Sequence, residues 1–426
     1  MKIIRYNKNT DLDSLLKRNE DEQDNIRNTV LDIINRVKKD GDTALLYYTS
    51  AFDKCELTRL QVTEDEIQEA FDSVPVALLD IIRESAANIR AFHEKQLERT
   101  WTYAPQPGVT LGQHITPIER VGLYVPGGKA IYPSTVLMDA IPALVAGVDS
   151  LVMVTPPGLD GKINSHILAA AKIAGIHEIY KLGGAQAIAA LAYGTETIKP
   201  VNKIVGPGNI YVATAKKEVF GKVDIDMIAG PSEILIIADE NANPIYAAAD
   251  LLSQAEHDEM AMPILVTTSE VLANKVIHEV YRQIDEDINR KAIAKKSIDD
   301  FGFVFIVKTL DQAFELSNKV APEHLELLIA NPMESLEKVR NAGAIFMGAY
   351  TPEPLGDYFA GPNHTLPTSG TAKFSSPLGV YDFIKKSSIL SYSREALENV
   401  YEKISTFARC EGLDAHAKAV ERRFEN

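Results

Sequence analysis

The feature that most constrains the fold is a repeated order of short apolar run, glycine- or proline-rich loop and helical pattern. Between about residues 118 and 220 this order occurs four times. The predicted strands are 121–125, 151–155, 179–182 and 203–205, and the predicted helices are 134–145, 164–174, 185–193 and 210–219. Such alternation is typical of a parallel α/β sheet. Because the loops after parallel strands form one edge of the sheet, we expect ligands to bind at that edge.

A second run of the same kind covers about residues 231 to 350, with predicted strands 234–237, 264–267, 303–307 and 344–347. Residues 1 to about 105 show helical apolar spacing, and residues 393–424 form a helical tail that is too short for a core of its own. The predicted fold class is therefore α/β, with two Rossmann-like parallel-sheet domains, a helical N-terminal region and a short helical C-terminal tail. The predicted boundaries are 1–105, 106–230, 231–378 and 379–426.

Composition excludes several classes of protein. A hydrophobic content of 46% and a charged content of 24% are ordinary for a globular protein, and no apolar run approaches the length of a membrane span. The net charge of −15 repels phosphate backbones, so we expect no nucleic-acid partner and no membrane association. Cys55 and Cys410 are the two cysteines, which is too few for a disulfide framework and favours a reducing cytoplasm.

The stretch 225–258 combines a turn, a buried strand and a helix with unusual polar residues. Asn243 and Pro244 suit the start of this helix. Asp250, Gln254 and His257 follow at spacings of four and three, so a carboxylate, an amide and an imidazole lie on one helical face. A solvated surface helix could carry the same residues, and the spacing alone leaves that alternative open.

The segment 321–327 contains a second polar group. Pro322 suits the start of a helix, which would put Glu323 and His324 in its first turn. A neighbouring carboxylate and imidazole can serve as two proton-transfer groups. The alternative is a helix-start glutamate beside a surface histidine.

Two further loops carry candidate polar residues. The glycine- and proline-rich segment 354–364 holds Asp357 and His364, although an ordinary turn would also explain it. The tail segment 410–416 holds Glu411 and His416, and a tail histidine often has no function.

Gln254, His257, Asp357 and His416 together form a nitrogen and oxygen ligand set that suits Zn²⁺ or a similar divalent ion. They are scattered along the chain without a local metal motif, so a metal-free interpretation stays open. The sequence has no Gly-x-Ser-x-Gly nucleophile motif. The segment 206–211 lacks the third glycine of the dinucleotide fingerprint, so its loop is either a structural turn or a cofactor contact.

Nine segments resemble the histidinol dehydrogenase family. They are VGLYVPGG (121–128), STVLMDAIPALVAGV (134–148), GGAQAIAALAYGT (183–195), KIVGPGN (203–209), IDMIAGPSE (225–233), DLLSQAEHD (250–258), APEHLEL (321–327), LGDYFAGPNHTLPTSG (355–370) and EGLDAH (411–416). The resemblance covers about residues 118 to 416 in chain order. The N-terminal 100 residues match in length and helical character only.

The resemblance implies a zinc enzyme, with one Zn²⁺ per subunit, that ends histidine biosynthesis. It would oxidise L-histidinol to L-histidine through bound L-histidinal with two NAD⁺. The metal and catalytic side would be the second α/β domain, and the first would bind the dinucleotide. Family members are homodimers in which the tail of one subunit completes the site of the other, and the same is expected here.

The resemblance also implies a role for each matching residue. The metal ligands would be Gln254, His257, Asp357 and His416, and the catalytic acid/base pair would be Glu323 and His324. The substrate contacts would be Ser232, Gln254, His257, His324, Asp357, His364, Glu411 and His416, and the dinucleotide contacts Tyr124, Gln186 and Asn209. All of these residues are of the family type.

Two other functions are considered. A metal-dependent hydrolase would use Glu323 to activate water without a dinucleotide. A non-catalytic metabolite-binding protein could have two α/β lobes with a cleft, but it would not need the paired proton carriers Glu323 and His324.

Overall fold

The computed structural model describes residues 1–16, 23–127 and 131–425. The chain separates into two compact units. The first unit comprises Met1–Gln96 and Glu119–Asp382, and the second comprises Leu97–Ile118 and Phe383–Asn426. The boundaries of the four segments predicted above stay a prediction.

The described strands, numbered along the sequence, are β1 Lys2–Arg5, β2 Trp101–Tyr103, β3 Val109–Pro117, β4 Arg120–Tyr124, β5 Ser150–Thr155, β6 Glu178–Lys181, β7 Lys203–Val205, β8 Asp224–Ile225, β9 Glu233–Ala238, β10 Met262–Thr267, β11 Phe303–Ile306, β12 His324–Leu328, β13 Ala344–Met347 and β14 Ile384–Tyr392. The described α-helices are α1 Leu12–Leu16, α2 Gln23–Tyr48, α3 Glu64–Ser73, α4 Val76–His93, α5 Pro133–Ala146, α6 Ser165–Ala174, α7 Gly184–Tyr193, α8 Ile210–Val219, α9 Pro244–Ala255, α10 Glu270–Glu286, α11 Lys291–Phe301, α12 Leu310–Val320, α13 Glu353–Tyr358, α14 Arg394–Glu398, α15 Tyr401–Cys410 and α16 Asp414–Glu421.

The first unit contains two parallel sheets with the same internal strand order. The five-stranded sheet has the order β6-β5-β4-β7-β8. The six-stranded sheet has the order β1-β11-β10-β9-β12-β13. Within each run of the chain, the first strand lies between the second and the fourth, which is the doubly wound arrangement. The predicted α/β class with two Rossmann-like sheets is confirmed.

Helices cover the sheets because the parallel strands are apolar on both faces. All six residues of β9 and all six of β10 are buried. In the five-stranded sheet, the alanine-rich helix α7 allows close packing, and Val30, Ile33 and Val37 of α2 join the same core. Helix α2 of the predicted helical N-terminal region therefore packs on the first of the two sheets.

The eight strands predicted in the two runs and the four helices predicted in the first run are present, with ends that differ by at most two residues. The helix predicted to begin at Pro322 is wrong, because the structure has strand β12 there. Helix α12 ends at Val320, and Ala321 adopts a left-handed conformation with φ of 53° that breaks the helix. Leu325 and Leu327 then alternate with Glu326 along a buried strand between β9 and β13. A smaller difference is that α9 ends at Ala255, so His257 lies in the following turn.

The second unit has a three-stranded antiparallel sheet in the order β14-β3-β2. The sequence analysis predicted neither this sheet nor the edge strands β1 and β8. Three helices, α14 to α16, follow β14, in agreement with the predicted helical tail. Among the described helices, none combines the length and the apolar character that crossing a bilayer requires.

Candidate active site

Several of the candidate polar residues gather at the amino edge of the six-stranded sheet. Strand β12 begins at His324, which lies opposite Ile234 of the neighbouring strand β9. Helix α9 follows β9 and returns towards the amino edge, which brings its last turn with Gln254 back to that edge. The sequence analysis expected ligands at the other edge, where the strands end. These candidate residues lie instead at the amino edge, where the strands begin.

The His324 imidazole has a defined orientation. Its Nδ1 lies 2.9 Å from the backbone carbonyl oxygen of Glu233, and a carbonyl can only accept a hydrogen bond. Nδ1 therefore carries a proton, and Nε2 is the free basic nitrogen of the neutral ring. Burial lowers the pKa of His324, but the negative charges of Glu323, Glu353 and Asp357 outweigh it and raise that pKa to about 10.

The Glu323 carboxylate contacts strand β9 at Glu233, the residue that also bonds to His324. Its Oε2 accepts a hydrogen bond of 2.8 Å from the Glu233 backbone N–H and lies 3.6 Å from Nδ1 of His324. Burial raises the pKa of Glu323 to about 7, against the opposing effect of the His324 charge. A carboxyl group with such a pKa can both give and take a proton near neutral pH.

The short helix α13 supplies two carboxylates to the site. Glu353 Oε1 lies 3.8 Å, and Asp357 Oδ1 3.9 Å, from Nε2 of His324. The other oxygen of Glu353 accepts a hydrogen bond of 2.9 Å from the Ser253 hydroxyl on α9. Burial raises the pKa of Asp357, but the contact with His324 and the charge of His364 hold it below its usual range.

Among the described residues, the Gln254 amide is an unsatisfied polar group in the last turn of α9. Both its amide nitrogen and its amide oxygen are fully buried, and neither has a hydrogen-bond partner in the described part of the chain. A buried amide without partners is costly, and coordination of a cation by its oxygen would remove part of that cost. His257 follows one turn later and is half buried. Burial lowers the pKa of His257, while the charge of Asp357 raises it and that of His324 lowers it. The amide, imidazole and carboxylate donors suit Zn²⁺.

The side chains also offer a second grouping for a cation. One ligand atom each of His324, Glu353 and Asp357 lies within 4.8 Å of the others. This group shares Asp357 with the set predicted from the sequence. It would, however, occupy the basic nitrogen of His324 and leave the Gln254 amide unsatisfied. The fit to a metal is therefore better for the set that includes Gln254 and His257.

His364 and Ser232 lie at the border of the same site. The His364 ring is held from both sides, by a bond of 3.1 Å between Nδ1 and the Asp357 carbonyl oxygen and by a bond of 3.3 Å between Nε2 and the Thr135 hydroxyl on α5. Burial lowers the pKa of His364. Ser232 immediately precedes β9, and its backbone carbonyl accepts a bond of 2.9 Å from Met262.

The three candidate dinucleotide contacts lie at the carboxyl edge of the five-stranded sheet. Tyr124 ends β4, and its buried hydroxyl accepts a bond of 3.1 Å from the Gly184 N–H. Gln186 lies in the first turn of α7, with an amide oxygen that is buried and unpartnered among the described residues. Asn209 is exposed and caps α8, because its Oδ1 accepts hydrogen bonds of 3.0 and 3.2 Å from the Tyr211 and Val212 N–H groups. These positions agree with the edge at which ligands were expected.

Glu411 and His416 belong to the second unit. Both side chains are exposed, Glu411 just after α15 and His416 within the first turns of α16. Their predicted roles in metal and substrate binding stay predictions.

The sequence analysis missed some polar neighbours of the site. Glu353 lies four residues before Asp357 on one helical face, so this spacing could have identified it. The fully buried Glu326 on β12 faces Asp250 of α9, and burial raises the pKa of both groups. Asp250 thus pairs with Glu326 beneath the site.

Comparison with known proteins identifies the family. The model of the histidinol dehydrogenase family matches residues 16–424. The chain is 58% identical over 397 residues to histidinol dehydrogenase of Bacillus licheniformis and 56% identical over 397 residues to that of Bacillus subtilis, and both comparisons cover 93% of each chain. The crystal structure of histidinol dehydrogenase from Elizabethkingia anophelis superposes with a TM-score of 0.94 at 40% identity, covering 100% of this chain and 98% of that one. The resemblance found in the sequence is confirmed, and the chain belongs to the histidinol dehydrogenase family.

Proposed function

We propose that this protein oxidises L-histidinol to L-histidine, through bound L-histidinal and with two NAD⁺, as the last step of histidine biosynthesis in the cytoplasm. The family supports the substrate and the reaction class. The observation that carries the mechanism is the pairing of His324, whose Nε2 is the free nitrogen, with the neighbouring Glu323 carboxyl.

Gln254, His257 and Asp357, with His416 from the tail of a partner subunit, would hold one Zn²⁺ per subunit. When bound, the metal would supply a charged anchor for nitrogen atoms of the substrate, and NAD⁺ would supply the hydride acceptor. A divalent charge next to Asp357 would also offset the carboxylates that face His324. The pKa of His324 would then fall towards the range that a base requires.

In the first oxidation, His324 takes the proton of the substrate hydroxyl at Nε2. The carbinol C–H bond breaks with both of its electrons as the C–O bond becomes a carbonyl, and NAD⁺, when bound, would accept the hydride. Base assistance is needed because an unassisted alkoxide is too basic to form at neutral pH. The Glu233 carbonyl keeps the ring in the tautomer that accepts this proton.

The second oxidation requires hydration of the aldehyde, because hydride leaves readily only from a carbon that bears both a hydrogen and a hydroxyl group. Glu323 takes a proton from water as the oxygen adds to the carbonyl carbon. With its pKa raised to about 7, the Glu323 carboxyl can return that proton near neutral pH. His324 first releases its earlier proton to solvent and then removes a proton from the hydrate as the second hydride leaves. The resulting carboxylic acid loses its remaining acidic proton to solvent and becomes the carboxylate.

Ser232 and His364 border the site and would contact the substrate, and the tail residues Glu411 and His416 would complete it from a second subunit. Both residues are exposed in the second unit, which leaves them accessible to a partner subunit and supports a homodimer with shared sites. Tyr124, Gln186 and Asn209 would contact the dinucleotide.

The test measures NADH absorbance with a limiting amount of L-histidinol. Two NADH per histidinol are expected, with loss of turnover after chelation and recovery after Zn²⁺ is restored. Protein that makes no NADH after zinc is restored would contradict the proposal, and one NADH per histidinol would remove the second oxidation.

A further inference from the structure

Two lysine–aspartate pairs lie at opposite ends of the neighbouring strands β7 and β8. At the amino ends, Lys203 Nζ lies 2.9 Å from Asp224 Oδ2. At the carboxyl ends, Lys216 of α8 pairs with Asp226, which directly follows β8. The second pair is almost completely buried, because the side chains of Lys216 and Asp226 are 2% and 1% exposed.

The buried pair holds one glycine from both sides. Lys216 Nζ donates a bond of 2.9 Å to the carbonyl oxygen of Gly206, and the Gly206 N–H donates a bond of 2.8 Å to Asp226 Oδ2. Asp226 also accepts a bond of 2.6 Å from the Met227 N–H. Both backbone groups of Gly206 are therefore fixed by one ion pair.

Gly206 has no freedom to move within this arrangement. Its φ of +111° suits glycine, and an added Cβ would lie 2.1 Å from the Tyr124 carbonyl oxygen and 2.8 Å from Asp139 Oδ2. The glycine opens the loop 206–209, which ends at Asn209, the cap of α8. The position of Asn209 thus depends on where Lys216 and Asp226 place Gly206.

The pair is a poor device for stability alone. Removing two charges from water costs about as much as their attraction returns, and apolar residues of similar volume often serve a fold equally well. A role in geometry explains better why both charges are directed at one backbone position.

We propose that Lys216 and Asp226 are positioning residues for the dinucleotide: they fix the loop 206–209 so that it presents Asn209 and the first turn of α8 to NAD⁺. This inference rests on the proposed function, because it assumes that the carboxyl edge of the five-stranded sheet binds the dinucleotide. The helix start favours the negative charge of a pyrophosphate, and this effect operates only at close range.

The test separates two effects of the ion pair: its effect on stability through charge balance, and its effect on NADH affinity through the geometry of the loop 206–209. Lys216→Met alone leaves Asp226 buried without its partner, whereas Lys216→Met with Asp226→Asn removes both charges and keeps an amide oxygen for the Gly206 N–H. We expect the double variant to regain the thermal stability that the single variant loses. We also expect it to keep a Kd for NADH, measured by fluorescence titration, at least about tenfold above that of the wild type, from the loss of a charge-assisted bond.

Kinetics provide a second readout. The KM for NAD⁺ should rise with the Kd, while the KM for L-histidinol and the zinc content stay unchanged. The matched control is Lys203→Met with Asp224→Asn, which removes the pair at the amino ends of the same two strands and should leave the Kd for NADH unchanged.

Each result has a definite meaning. A double variant with the NADH affinity of the wild type would overturn the positioning role, and so would a control pair with an equal loss. If the double variant does not fold, Lys216→Gln with Asp226→Asn also removes both charges while it keeps polar side chains of similar length, and an unchanged Kd there would also overturn the positioning role. Wild-type protein that binds no NADH would instead contradict the proposed function.

Discussion

At the residue scale, the Gln254 amide shows how a single unsatisfied group can indicate a ligand. Its two polar atoms are buried without partners in the described residues, and the His257 imidazole follows three residues later in the chain. A fold does not retain such a cost without compensation. Cation binding is the compensation that the donor set of Gln254, His257 and Asp357 favours.

Gln254→Ala should therefore weaken zinc binding at least about 100-fold, since even indirect partners of metal ligands typically contribute 10- to 100-fold. Zinc content after dialysis, measured by atomic absorption, checks this. Gln283→Ala is the matched control, because Gln283 is also buried but donates a bond of 3.2 Å to the Ile245 carbonyl. A Gln254→Ala protein that retains zinc as the wild type does would contradict the assignment.

Asp53, which lies outside the candidate active site, makes the stability of the fold depend on pH. Burial raises the pKa of Asp53 from 3.8 to about 6. The folded state therefore holds this proton to a higher pH than the unfolded state, so its contribution to stability is present below about pH 4 and is lost as pH rises to about 6.

Asp53→Asn removes this dependence. Above pH 6 the variant should be more stable than the wild type by about 1 kcal/mol, after a reduction for the partial exposure of Asp53. Thermal unfolding between pH 4 and pH 8 measures the difference, with the exposed Asp149→Asn as control. A difference that does not change with pH would contradict the prediction.

At the element scale, helix α5 and the loop 363–365 form a joint between the two α/β runs. The Asn363 side-chain amide donates a bond of 2.7 Å to the Met138 carbonyl, and the Thr365 hydroxyl donates one of 3.3 Å to Asp139. His364 lies between Asn363 and Thr365 in this loop, and its Nε2 lies 3.3 Å from the Thr135 hydroxyl of α5. The joint thus holds His364, a predicted substrate contact, through a residue of the first α/β run.

Thr135→Val keeps the shape of this joint and removes its hydroxyl. The KM for L-histidinol should rise about three- to tenfold, which corresponds to the loss of one ordinary hydrogen bond. The KM for NAD⁺ and the zinc content should stay at the wild-type values. Steady-state kinetics with each substrate varied in turn measure this, and a larger effect on NAD⁺ than on histidinol would count against the joint as described.

Elements with strong local signals were predictable, and those set by distant partners were not. The strands and helices of the two runs have apolar spacing and flanking glycines of their own, and the predicted positions are confirmed. The prediction for β12 was wrong because Pro322 is typical of a helix start, whereas pairing with β9 and β13 makes this segment a strand. The two-residue strand β8 is too short to produce any pattern.

At the scale of the whole molecule, topology explains why the site could not be read from local spacing. Strands β9 and β12 are neighbours although about 90 residues separate them, so Glu233 and His324 meet only through the strand order of the sheet. The same order sends the end of α9 to the amino edge. The family resemblance predicted which residues belong to the site, whereas the edge of the sheet on which Glu323 and His324 lie required the structure.

The homodimer with shared sites is a prediction about the assembly. A His257→Ala chain and a His416→Ala chain should each be inactive alone, because each lacks one metal ligand. In a mixed dimer with crossed tails, one site carries both substitutions and the other carries neither. Random exchange makes half of the dimers mixed, so about a quarter of the wild-type activity should return. Native mass spectrometry would establish that mixed dimers form. If they form and no activity returns, each chain completes its own site and the tails do not cross.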